Sequence, residues 1–145
     1  MMQPPYYRVL TRRLDALSMP TIAFTNTVHY RSRRAYVTVE LRGPGTRSWI
    51  NVDVLLDTGA DYLVLPDAAA HAVGLNPSIG ASVSVTGVTG SATLRRLTGC
   101  SVTVERVYPI TVDVLFGSGA MPVLGMDALL AAMETGFQSA HWHYV

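Results

Sequence analysis

The sequence predicts an all-β domain, a closed or rolled sheet of short strands that carries two short helices. Three observations predict it. Apolar and polar residues alternate with a period of two in several separate stretches, the mark of half-buried strands. Turn-forming glycine and proline recur between those stretches. Only two segments suit a helix, Pro66 to Val73 and Met126 to Met133, and both are short. The 145 residues are one domain's worth. A chain of that size buries roughly 70% of its unfolded surface. Hydrophobic residues make up 49% and charged residues 14%, which excludes a disordered chain.

From Ala35 onward Val37, Val39 and Leu41 alternate with Tyr36, Thr38 and Glu40. Gly43-Pro44-Gly45 breaks that strand, and Ile50, Val52, Val54 and Leu56 resume the alternation up to Asp57, making a hairpin. In the first helix Pro66 suits the first helical position and Gly74 the residue past the end. Val83 and Val85 begin another strand. Thr86 to Ser91 forms a glycine-bearing hairpin tip, with the return strand running through Leu94. Cys100, Val102 and Val104 alternate, as do Val112, Val114 and Phe116, and Gly117-Ser118-Gly119 is a loop. In the second helix Asp127 occupies the first turn, where the helix dipole favours an acid, and Gly136 stops it. Phe137 to Val145 reads as one last strand.

Charge divides the chain. Residues 1–34 hold six arginines against one aspartate, a net +5, and read as a basic N-terminal arm; residues 35–145 read as the domain. The arm suits contact with an anionic surface. A solvated arm is favoured instead, because its arginines lack interleaved aromatics. The whole chain is only +1, which argues against a dedicated nucleic-acid binder. No apolar run reaches 18 residues, so no membrane span is expected. The N-terminus lacks a signal-peptide pattern and the chain has one cysteine, Cys100, which favours a cytoplasmic over a secreted setting. Cys100 excludes an internal disulfide and reads as a small buried hydrophobe. His141 and His143 share one face of a strand, but two ligands without a third nearby make a weak metal site, so rings covering a core edge are the favoured reading. His29 and His71 read as solvated or structural, and Asp53, Asp67 and Asp113 as solvent-face residues.

The chemically informative stretch is Leu55-Leu56-Asp57-Thr58-Gly59-Ala60-Asp61, an acid at the end of an apolar strand followed by a sharp turn. Taken alone, Asp-Thr-Gly is also an ordinary turn sequence. The stretch closely resembles the active-site loop of the aspartic peptidases, and Ala60 resembles the retropepsin branch. The resemblance runs from about Ala35 to Phe137. The Val83–Leu94 hairpin stands at the position of the retropepsin flap. Pro122-Val123-Leu124-Gly125-Met126-Asp127-Ala128 resembles the strand end and helix that close a retropepsin lobe. The cellular members look closer than the viral ones, because Met126 stands where viral enzymes place an arginine that pairs with the acid corresponding to Asp61.

The resemblance implies a retropepsin-like barrel with a flap and one Asp-Thr-Gly loop per chain. It implies an endopeptidase in which two chains each supply one Asp57, with no metal and no cofactor. Two carboxylates held together share one proton; the ionised one activates a water and the protonated one donates to the scissile carbonyl. By the same resemblance Thr58 braces the paired loops, and Gly59 admits a close backbone. Asp61, Gly87, Val88, Thr89, Gly90, Val123 and Leu124 would contact an extended peptide. Val85, Leu94 and Met121 would add to an apolar lining. The rivals are a non-catalytic dimerisation or peptide-binding module of the same fold and an adaptor that binds anionic surfaces through the arm.

Overall fold

The alternation seen in the sequence sets the wall of a barrel. The computed structural model describes residues 26–87, 89–128, 135–137 and 141–144. Strand β2 (Tyr36–Arg42) pairs antiparallel with β3 (Trp49–Leu56), placing Val37 opposite Val54 and Val39 opposite Val52. Val37, Val39, Leu41 and Val54 are fully buried, whereas Asn51 and Asp53 face out, as a period of two requires. The chain then turns at Asp57 into β4 (Leu63–Pro66), a strand the sequence reading did not anticipate. Helix α1 (Asp67–Ala72) follows and buries Ala69 and Ala70. Pro66 precedes α1 as its extended N-cap rather than occupying its first turn.

After a 3-10 turn at Pro77–Ile79, β5 (Ala81–Gly87) and β6 (Gly90–Val104) form a long hairpin in register from Ala81↔Arg96 to Gly87↔Gly90. The sequence reading made the return strand and the Cys100–Val104 alternation two elements; they are one strand of 15 residues with an irregularity between Leu97 and Cys100. Gly99 sits in it at φ +66°, a conformation that suits glycine, and its N–H donates to Asp113 Oδ1 at 3.3 Å. Asp113 therefore secures the bulge and is not simply a solvent-face residue. Below the bulge β6 pairs with β2, placing Val104 opposite Val39; above it β6 pairs with β5, while Arg95 to Leu97 keep their pairing with Val114 to Phe116. One bend thus divides a barrel strand from an arm of the flap.

Strand β7 (Tyr108–Gly117) pairs antiparallel with β6 and parallel with β4. The two-residue β8 (Val123–Leu124) lies between β3, to which it is parallel, and β4, to which it is antiparallel. The order β2-β3-β8-β4-β7-β6 returns to β2, so the expected all-β barrel closes. Closure removes most exposed edges. Val102, Val114, Phe116, Leu63, Leu65 and Leu124 fill its interior, and each such side chain contributes about 1.5–3 kcal/mol of burial. Helical geometry begins at Met126; residues 129–134 lie outside the described residues. Among the described residues no helix is long and apolar enough to cross a membrane.

A second sheet joins the two ends of the described chain. Strand β1 (Asn26–His29) pairs with β10 (His141–Tyr144), and β10 pairs with β9 (Thr135–Phe137), all antiparallel. The region read as one final strand is thus two antiparallel strands. Trp142 is fully buried and its Nε1 donates to Tyr36 O at 3.1 Å, fixing this sheet to the barrel. Residues 26–34, which the charge pattern assigns to the arm, are tied down as well. Val28 and Tyr30 pack on the core, Arg31 and Arg34 exchange two backbone hydrogen bonds, and Arg31 Nη1 meets Asp53 Oδ2 at 2.9 Å while lying over the Tyr36 ring.

Candidate active site

Strand β3 delivers Asp57 to the rim of the barrel. Its N–H donates to Leu124 O at 3.0 Å, continuing the parallel β3–β8 ladder for one more residue. The chain then reverses, with Ala60 N–H donating to Asp57 O at 3.2 Å. Gly59 N–H donates to Asp57 Oδ1 at 2.9 Å, so the turn itself orients the carboxylate. A Cβ at position 59 would stand 3.2 Å from that same oxygen, so a side chain there would press on the oriented carboxylate.

The descending side of the loop is stitched to the chain beyond β8. Met126 N–H donates to Ala60 O at 2.9 Å, Asp127 N–H to Asp61 O at 3.0 Å and Gly125 N–H to Tyr62 O at 3.0 Å. The close approach depends on Gly125, where a Cβ would lie 2.5 Å from Tyr62 O. Residues about 65 positions apart therefore form one rigid cradle around the carboxylate.

A cleft of about 830 Å³ opens over this loop. Asp57, Gly59, Ala60, Asp61 and Tyr62 line one side, β5 from Val83 to Gly87 lines the other, and Val64 and Leu115 form part of its wall. Thr58 is exposed on the loop's outer surface, and Asp57 is half-buried. Thr86 and Ser91 hydroxyls meet across the flap hairpin at 3.1 Å, close to its tip.

The sequence-derived residues fall into three groups. Asp57, Gly59, Ala60, Asp61, Val85 and Gly87 all line the cleft. Thr89 and Gly90 are exposed at the flap tip, and Val88 lies outside the described residues. Leu124 is fully buried in the core, where its carbonyl rather than its side chain serves the site. Val123 is half-buried between Leu55 and Val64. Leu94 packs over Gly117, and Met121 is exposed away from the residues that line the cleft. Tyr62, Val64, Val83, Ser84, Thr86 and Leu115 also line the cleft, and the sequence had not marked them as contacts. The flap hairpin read from Val83 to Leu94 already carried Val83, Ser84 and Thr86, but nothing local marked Tyr62, Val64 or Leu115.

Outside the cleft the fold moves the acidity of Asp53, Glu105 and Cys100. The Arg31 side chain, assisted by the Thr38 hydroxyl, holds Asp53 below its ordinary value against a smaller opposing effect of burial. Burial pushes Glu105 up, opposed by the Thr38 N–H that its Oε1 accepts at 2.8 Å. Burial, and then Asp113, push the Cys100 thiol up, which leaves it an inert core residue.

A carboxylate set by a Thr-Gly turn, braced by a threaded strand end and roofed by a hairpin, points to the aspartic-peptidase class. The family follows from comparison with known proteins. Residues 49–131, from the start of β3 through the flap and past β8, match the model of the family described as "gag-polyprotein putative aspartyl protease". The chain belongs to this retropepsin-like aspartic protease family. None of the curated proteins matches it.

Proposed function

We propose that the protein is an aspartic endopeptidase that cleaves extended polypeptides with a pair of Asp57 carboxylates, one from each chain of a homodimer. The observation that carries this reading is the half-site: one oriented carboxylate per chain, beside a cleft open enough for a peptide, on a loop whose outer surface exposes Thr58. Pepsin-type chemistry needs two such groups.

In the proposed reaction the ionised Asp57 takes a proton from a water whose oxygen attacks the scissile carbonyl carbon. The protonated Asp57 of the other chain gives its proton to the carbonyl oxygen. The resulting gem-diol collapses as the amide nitrogen gains a proton and the C–N bond breaks, leaving an acid and an amine. The flap edge would pair with the substrate backbone as an added strand. Val64, Val83, Val85 and Leu115 give the cleft an apolar wall, so apolar side chains flanking the bond are favoured.

A peptide-library cleavage assay tests the proposal. The full chain should cut, Asp57→Asn should not, and specific activity should fall on dilution as dimers dissociate. Normal cleavage by Asp57→Asn, or undiminished activity from a demonstrated monomer, overturns it. Peptide binding without cleavage in the wild-type chain would mark a binding module of the same fold.

A further inference from the structure

One wall of the cleft is a row of residues paired across four strands. Val64 of β4 stands opposite Leu115 of β7, Leu115 opposite Arg96 of β6, and Arg96 opposite Ala81 of β5. Residues paired in this way put their side chains on the same face of a sheet. Val64 and Leu115 line the cleft, and so do Val83 and Val85, which follow Ala81 in steps of two along β5. Arg96 therefore stands on the cleft face, between the wall at Leu115 and the flap at Val83. Its neighbour Arg95 takes the opposite face, is exposed, and donates from Nη1 to Gly80 O at 3.2 Å.

Arg96 differs from Arg95 in lacking a partner. It is half-buried, and its Nε is enclosed with no acceptor within hydrogen-bond reach. Among the described residues the ion pairs are Arg31 with Asp53 and Arg42 with Glu40, and none includes Arg96. A buried donor without an acceptor is unfavourable, and a guanidinium keeps its charge inside a protein. The fold thus brings a cation to the end of an apolar wall without supplying its counter-ion.

We propose that Arg96 is a specificity-determining residue of the cleft, which pairs with the carboxylate of an aspartate or glutamate in the bound polypeptide, on the residue seated against Leu115. This rests on the peptidase reading and adds to it an acidic preference at one substrate position.

Residues directly opposite in an antiparallel pair stand about 4.5–5.5 Å apart at Cβ, and diagonal neighbours about 7–8 Å. Leu115 and Val83 flank Arg96 at those separations, so a substrate side chain lying on Leu115 comes within reach of the guanidinium. A carboxylate meets that planar group with two parallel N–H···O bonds and neutralises it, whereas a glutamine offers one oxygen and no charge. Elsewhere the charged residues that line the cleft are Asp57 and Asp61, which repel an acid. The preference is therefore confined to the position beside Arg96 and is separate from the apolar residues that flank the scissile bond.

Peptides carrying Glu, Gln or Lys at one position at a time test this on the full chain, with cleavage and binding read separately. At one position the wild type should use the Glu peptide at least tenfold better than the Gln peptide. Arg96→Glu should reverse the order there and favour Lys over Glu, a gain that misfolding cannot mimic. Arg96→Lys should keep an acidic preference. Arg95→Glu makes the same charge change on the other face and should leave the wild-type order intact. Equal use of Glu and Gln at every position, an unchanged order in Arg96→Glu, or a reversal in Arg95→Glu overturns the proposal. Binding that prefers Glu through Arg96, without cleavage, would support the role of the arginine while overturning the endopeptidase reading.

Discussion

Gly125→Ala tests whether the Asp57 loop is held in place by the strand end behind it. Gly125 is buried, and a Cβ there would meet Tyr62 O at 2.5 Å and Asp61 C and Tyr62 N at 2.6 Å. All three are backbone atoms, which no change of rotamer can move. Opening the nearest contact from 2.5 Å to an ordinary 3.4 Å separates the two segments by about 0.9 Å. The hydrogen bonds from Gly125, Met126 and Asp127 to Tyr62, Ala60 and Asp61 are now 2.9–3.0 Å long, and that separation takes them out of range. At about 0.5–1.5 kcal/mol each, their loss costs about 2–4 kcal/mol of stability. The same displacement moves the Asp57 turn by close to 1 Å, which lowers a catalytic rate about 100-fold. Urea unfolding and kcat/KM on one peptide, measured for both chains at one pH, give the two numbers. Wild-type stability together with a wild-type rate would refute the argument that the threaded strand end positions the carboxylate.

Other substitutions probe separate parts of the molecule. Glu105 has its folded-state pKa raised, so it binds more protons folded than unfolded, and stability is lost as pH rises from its ordinary value of 4.5 through the raised one. Glu105→Gln keeps an acceptor for Thr38 N–H without the charge; its melting temperature should exceed wild type at neutral pH and match it below pH 4.5, and a lower value at neutral pH would show that the charge is favourable. Arg31, Asp53 and Arg106 face the same carboxyl, and the depressed Asp53 contributes with the opposite sign, its stabilisation being lost as pH falls, so the variant must be compared with wild type at each pH. Ala60→Ser places a hydroxyl donor beside the Asp57 turn, which should move the optimum of the pH–rate profile toward acid; an unmoved or raised optimum counts against that role. Trp142→Phe deletes the donor to Tyr36 O and should cost about 1–3 kcal/mol in urea unfolding; an unchanged midpoint would show that the indole bond contributes nothing.

Much of this protein was legible in one dimension because its signals are local. Alternation at Val37–Val39 and Ile50–Leu56 reports which face of a strand is buried, and that needs no knowledge of the partner strand. The Asp57-Thr58-Gly59 turn is equally local, since the Gly59 N–H that orients the carboxylate is two residues away. The flap tip was readable from its glycines for the same reason.

What the sequence by itself determined was therefore the strand faces, the Asp57-Thr58-Gly59 turn and the hairpin that roofs it. The tertiary structure alone decided which strands are neighbours. Strand β8 has only two residues, too few to show a period, yet its position between β3 and β4 braces the active-site loop. Leu124 looked like a substrate contact because it follows a motif, but burial assigned its side chain to the core and left only its carbonyl to the site. Residues 26–29 and 141–144 carry no mark in common along the chain, and only the pairing of β1 with β10 sets their backbones side by side. The physical reason is the same in each case: alternation records burial, a property of one strand, whereas register is a property of two, and it is settled when the barrel closes.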